Sequence, residues 1–136
     1  MSSRKILVAD DDRDDWFILE DAMSQIGIHG IFEFFFNGEQ LLEHLKKEGT
    51  APHAIVLDLN MPRMNGTETL RNIKEDERFR NIPVLIYSTS INFLEKKKCL
   101  DLGAYDYITK PVTAAENLEI ARMLFSFTEK KTVENS

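Results

Sequence analysis

Residues 5–15 read KILVADDDRDD, an apolar run that stops on five carboxylates within the six positions 10–15. The apolar half has the length and composition of a buried strand. The acidic half poses an electrostatic problem, because two unit charges about 4 Å apart repel by about 4 kcal/mol at an effective dielectric of about 20. A positive partner is therefore expected where this strand ends.

Four more apolar runs follow the first: IFEFFF (31–36), HAIVLDL (53–59), IPVLIYS (82–88) and YDYIT (105–109). Between them, apolar residues recur three and four apart: Leu19, Ala22, Met23 and Ile26; Leu41, Leu42 and Leu45; Leu70 and Ile73. That spacing is helical. A fourth helix is expected over Ile91–Leu102 with Gly103 as its C-cap, and a fifth over Thr113–Phe127. Strict alternation of near-continuous apolar strands with helices predicts an α/β fold, a doubly wound five-stranded parallel sheet covered on both faces. Five βα units give the flavodoxin-like (βα)5 arrangement, strand order 2-1-3-4-5.

The chain has 136 residues, 43% of them hydrophobic and 29% charged, the balance of one folded domain. The domain is expected over 1–128, with EKKTVENS (129–136) as a frayed polar tail and no output domain after it. A net charge of −6 disfavours nucleic acid and anionic membrane surfaces as partners. Cys99 has no second cysteine to pair with, and neither a signal peptide nor an apolar run near ~18 residues is present. A cytoplasmic location is the resulting expectation.

In the expected strand order, strands 1 and 3 flank the switch point, and ligands bind there outside the carboxyl ends of the strands. Those ends carry Asp10, Asp11 and Asp12 on strand 1, Asp58 on strand 3, Ser88 on strand 4 and Lys110 after strand 5. Neighbouring strands lie about 4.8 Å apart, so the acids converge on one small ligand. Oxygen donors without His or Cys point to a hard divalent cation such as Mg²⁺ and away from zinc. An ammonium and a hydroxyl beside a carboxylate nucleophile are parts that phosphoryl transfer uses. The expected chemistry is conversion of Asp58 to an acyl phosphate.

ILVADDD, IVLDLNMPRMNG (55–66), VLIYSTS (84–90) and LGAYDYITKP (102–111) occur in that order. On these four motifs the chain resembles bacterial response-regulator receiver domains (CheY-like) over Lys5 to about Phe127. The STS stretch and DLNMP look most like single-domain regulators that partner phytochrome-type and other hybrid histidine kinases. The resemblance implies Asp58 as phosphoacceptor and Asp11, Asp58 and the Asn60 backbone carbonyl as Mg²⁺ ligands, with Asp10 acting through water. Ser88, the Thr89 backbone and Lys110 would hold the phosphoryl oxygens, and Ser88 and Tyr107 would carry the switch. It further implies a histidine kinase or phosphotransfer protein as partner and a cis Lys110–Pro111 bond.

Other features read more plainly. Asp12 suits a helix cap, and Asp14 and Asp15 suit the positive end of the first helix dipole. His29, His44 and His53 form no ligand spacing. Phe34, Phe35 and Phe36 suit packing on an edge strand. The fifth helix carries two apolar rows, Leu118/Ala121/Phe125 and Ile120/Leu124/Phe127, of which one faces the sheet and the other is left for the domain edge or for a second subunit in a homodimer. Three rivals remain. A haloacid-dehalogenase-type phosphohydrolase needs an Asp where Asn60 stands, an FMN module needs a hydroxyl-rich loop where DDDRDD stands, and a pseudo-receiver scaffold would not be phosphorylated.

Overall fold

The computed structural model describes residues 4–47 and 49–129. Five strands, β1 (Ile6–Ala9), β2 (Phe32–Phe35), β3 (Ala54–Leu57), β4 (Val84–Ser88) and β5 (Asp106–Thr109), alternate with five helices. The helices are α1 (Arg13–Gln25), α2 (Gly38–Lys47), α3 (Gly66–Glu75), α4 (Phe93–Asp101) and α5 (Ala114–Glu129). All strand pairs are parallel and the order is β2-β1-β3-β4-β5, as the alternating pattern predicts.

β1, β3 and β4 are buried at every position, whereas the edge strands β2 and β5 are only partly covered. Because side chains alternate across a sheet, each central strand feeds two cores. Leu7, Ala9, Ile55, Leu57, Val84 and Ile86 face a core closed by α2, α3 and α4. Ile6, Val8, Ala54, Val56, Leu85 and Tyr87 face another closed by α1 and α5. The phenylalanine run packs as expected: Trp16 stacks on Phe34 at 5.0 Å and tilts over Phe36 at 4.8 Å.

Several expectations are corrected at element ends. α4 starts at Phe93, two residues later than expected, because the Asn92 side chain caps it by accepting the Glu95 N–H; Ile91 is left in the loop, exposed. Gly103 does follow the helix in the left-handed region, at φ +109°. α5 extends to Glu129, the first residue of the expected tail; the remainder of that tail lies outside the described residues. The two apolar rows of α5 do not divide as read. Ala121, Leu124 and Phe127 are buried together, while Leu118, Ile120 and Phe125 pack part-buried against the same core. A helix has 3.6 residues per turn, and a wide apolar stripe draws from both rows. No cis peptide bond occurs among the described residues, so Lys110–Pro111 is trans, the form favoured by about 0.5–1 kcal/mol even before proline.

One close approach fixes the floor of the loop after β3. The Gly66 N–H donates to the Leu59 carbonyl at 3.0 Å, and a Cβ at Gly66 would stand 2.3 Å from the Asp58 carbonyl oxygen. That neighbour is backbone and yields only if the loop shifts. Gly66→Ala is expected to destabilise the fold by about 1–3 kcal/mol, seen as a lower urea midpoint at unchanged slope.

Candidate functional site

Backbone hydrogen bonds continue past the strands and set the functional side chains at one edge. The Asp10 N–H donates to Phe35 O at 2.9 Å, the Asp58 N–H to Ala9 O at 2.9 Å and the Lys110 N–H to Ser88 O at 2.8 Å. Asp10 is fully buried, and its Oδ1 accepts the Asp12 N–H at 2.9 Å while its carbonyl accepts the Trp16 indole N–H at 2.8 Å. Asp12 caps α1 by accepting the Asp14 N–H, as expected.

Asp10, Asp11 and Asp58 each present a carboxylate oxygen within 4.8 Å of the others. Lys110 enters this group from the β5 side. Its Nζ lies 2.6 Å from Asp15 Oδ2, 3.1 Å from Asp10 Oδ2 and 3.5 Å from Asp58 Oδ2, and 5.3 Å from the centre of the buried Tyr87 ring. The sequence reading brings Asp10, Asp11, Asp58, Ser88 and Lys110 to this edge, and all are there. It placed Asp15 with the helix dipole alone, and missed its carboxylate as the nearest partner of Lys110. The signal was present: Asp15 stands one turn before Leu19 on the buried stripe that Leu19, Ala22 and Met23 continue.

Ser88 is fully buried, and its Oγ accepts the Ser90 N–H at 3.1 Å. The Tyr107 hydroxyl lies 2.9 Å from the Ser90 carbonyl oxygen and 3.2 Å from Glu95 Oε1, so the β4 end and the first turn of α4 share one aromatic side chain. Asn60 and Thr89 are exposed at the ends of β3 and β4. Away from this edge, His44 stands 3.4 Å from Glu33 and His53 accepts the Lys5 N–H, neither of them near the acids.

Burial governs the charge states. Asp10 is raised from 3.8 to about 7, first by desolvation and further by the charges of Asp58 and Asp15, against the Asp12 N–H and Lys110. Desolvation also raises Asp58, opposed by Lys110 and the Asn60 N–H. Burial would lower Lys110, but the hydrogen bond to Asp15 and the charges of Asp10, Asp58 and Asp15 outweigh it and hold the ammonium protonated.

The donor set fits a hard divalent cation. It offers carboxylate oxygens alone, and the buried Oδ2 of Asp10 faces Lys110 without a directed hydrogen bond from any described group. A cavity of about 490 Å³ opens elsewhere, at the amino ends of β1 and β2, beside Arg4, Lys5 and His29. The acid cluster, with its oxygens within 4.8 Å of one another, suits a single ion.

An acid cluster, a lysine and a buried hydroxyl at the switch point of a doubly wound sheet define a phosphoryl-handling α/β domain. Residues 6–122 match the response regulator receiver domain family, and the chain belongs to it. It is 30% identical over 119 residues to chemotaxis protein CheY1 of Helicobacter pylori, covering 85% of this chain and 94% of that protein. The phosphorylated cyanobacterial phytochrome response regulator RcpA superposes with a TM-score of 0.83 at 28% identity, over 95% of this chain and 96% of that one. The Mn²⁺-bound form of response regulator Rcp1 gives 0.80 at 25% identity, over 96% and 97%. Longer relatives, hybrid signal transduction histidine kinases of Dictyostelium discoideum, are matched over 6% and 7% of their length. No helix among the described residues is long and apolar enough to cross a membrane.

The raised carboxyl of Asp10 makes stability depend on pH in a definite direction. A group held above its unfolded value of 3.8 contributes stability that is complete below that value and is lost as pH rises through about 7. The metal-free thermal midpoint is therefore expected to fall between about pH 5 and about pH 7 and to level off above that. Saturating Mg²⁺ reverses the fall, adding about 2.7 kcal/mol at a hundredfold excess over Kd. A metal-free midpoint that climbs across the same window contradicts this assignment. Trp16, the single tryptophan, reports binding through its bond to the Asp10 carbonyl.

Proposed function

We propose that the chain is a phosphoacceptor switch of a two-component phosphorelay, taking a phosphoryl group from the phosphohistidine of a histidine kinase or phosphotransfer protein onto Asp58. The observation that carries this reading is the placement of Asp58 Oδ2, in one carboxylate cluster with Asp10 and Asp11 and 3.5 Å from Lys110 Nζ. A carboxylate oxygen of Asp58 attacks phosphorus, the P–N bond to the donor imidazole breaks, and the imidazole nitrogen keeps the electron pair.

The residues of this chain position and neutralise. Asp11, Asp58 and the Asn60 carbonyl would hold Mg²⁺, with Asp10 holding it through water. The ion would neutralise charge on the transferring group. Lys110, the Ser88 hydroxyl and the Thr89 backbone N–H receive phosphoryl oxygens. Ser88 moves toward them and draws on the loop that its Oγ shares with Ser90, and Tyr107, bonded to Ser90 O, passes the shift to α4. The domain runs through α5 to Glu129, works in the cytoplasm, and catalyses only its own phosphorylation and dephosphorylation. Neither Asn60 nor Ser90 is an acid able to orient a hydrolytic water.

Incubation with a small phosphodonor and Mg²⁺, followed by intact mass measurement, tests the reading. The wild-type chain is expected to gain one phosphoryl mass only when Mg²⁺ is present, and Asp58→Asn to gain none. Lys110→Ala is expected to be phosphorylated yet to leave the amide resonances of α4 near their unphosphorylated positions. A phosphoryl gain in Asp58→Asn equal to wild type would remove Asp58 from its role.

A further inference from the structure

The ammonium of Lys110 stands among three carboxylates and is nearest to the one that belongs to no metal cluster. Asp15 Oδ2 is 2.6 Å from it, against 3.1 Å for Asp10 and 3.5 Å for Asp58. The side chains of Lys110 and Asp15 are 11% and 15% exposed, so solvent screens the pair little. Asp15 belongs to the first turn of α1 and Lys110 follows β5, so the contact ties two elements 95 residues apart.

We propose, on the reading of Asp58 as phosphoacceptor, that Asp15 is a positioning residue that holds the Lys110 ammonium against α1 until a phosphoryl group on Asp58 takes it over.

The charge inventory of the pocket leads to this. Asp10, Asp11 and Asp58 supply the oxygens that suit a divalent cation, and Asp15 is outside that group. A cation among the first three repels the ammonium and weakens its hold on Asp10 and Asp58, leaving Asp15 as its retained partner. Phosphorylation then adds about −1.5 to −2 charge and three strong acceptor oxygens on the Asp58 side. The ammonium has three N–H donors and swings on a flexible stem, so it can cross from one acceptor to the other without movement of the strand. Asp15 thus competes with the phosphoryl group for one cation. Its loss makes the phosphorylated-like state easier to reach, the opposite of what damage to the fold would do.

Beryllofluoride, which mimics a phosphoryl group on a carboxylate, is titrated at saturating Mg²⁺ into the full chain and three variants, with bound fractions read from two-dimensional amide spectra that also report folding. Asp15→Asn keeps the shape of the side chain and removes its charge; its beryllofluoride affinity is expected to rise about tenfold. Asp15→Glu retains the anion and is expected to stay within about threefold of wild type. Asp14→Asn removes the same charge from the exposed neighbour, whose side chain enters none of these contacts, and is expected to change affinity by less than about twofold. An Asp15→Asn affinity that is unchanged or weaker overturns the handover, as does an equal gain in Asp14→Asn, which would reduce the effect to general charge. A wild-type chain that binds no beryllofluoride with Mg²⁺ overturns the phosphoacceptor reading, and the handover falls with it.

Discussion

One ammonium, that of Lys110, balances carboxylates arriving from α1, β1 and β3, and the functional edge of the molecule depends on that balance. Asp10, Asp15 and Asp58 together exceed it by two charges when ionised, and Asp11 adds a third. Burial makes the excess costly, which is why Asp10 is pushed up to about 7 and Asp58 is raised as well. Any anion that enters must arrive with cations or recruit Lys110. The charge of the pocket therefore suits a divalent cation, and an anion placed there needs a cation beside it.

The sheet order is what makes such a concentration of charge tolerable. β1 and β3 are neighbours with every side chain buried, so their acids can stand only at the strand ends, where backbone bonds such as Asp58 N–H to Ala9 O hold them in fixed register. The apolar run of each strand supplies the free energy, about 1.5–3 kcal/mol for each large side chain buried. The acids draw on that stability without contributing to it. Gly66, pressed against the Asp58 carbonyl, shows how little slack the loop behind the phosphoacceptor candidate has.

Most of this arrangement was legible in the sequence because the central strands and the acids use unambiguous residue types. KILVA, HAIVLDL and IPVLIYS each suit a buried strand, and their order places Asp10, Asp58 and Ser88 together. What was misread lay where two physical effects favour the same residue. Asp15 satisfies the helix dipole and also the buried stripe of α1, and only the second sends it to Lys110. Ile91 is apolar enough to extend α4, yet Asn92 behind it is the better cap. In α5 both apolar rows reach the same core, because its buried stripe is wider than either row alone. The Lys110–Pro111 bond rests on a small energy difference that surrounding contacts decide.

The same balance explains which part of the molecule is free to respond. α4 buries Cys99 alone, while α1, α2, α3 and α5 each bury three or four side chains or glycines, and its Phe93 and Leu94 are about three-quarters exposed. An element with few buried contacts opens or shifts at low free energy. It is also the helix that Tyr107 reaches, through Glu95 and the Ser90 carbonyl, one hydrogen bond away from Ser88 in the pocket. A displacement of the Ser88–Ser90 segment therefore loads the least anchored helix first. The strongly packed β1, β3 and β4 hold the acids, so the acid cluster and α4 stand at opposite ends of one gradient of burial.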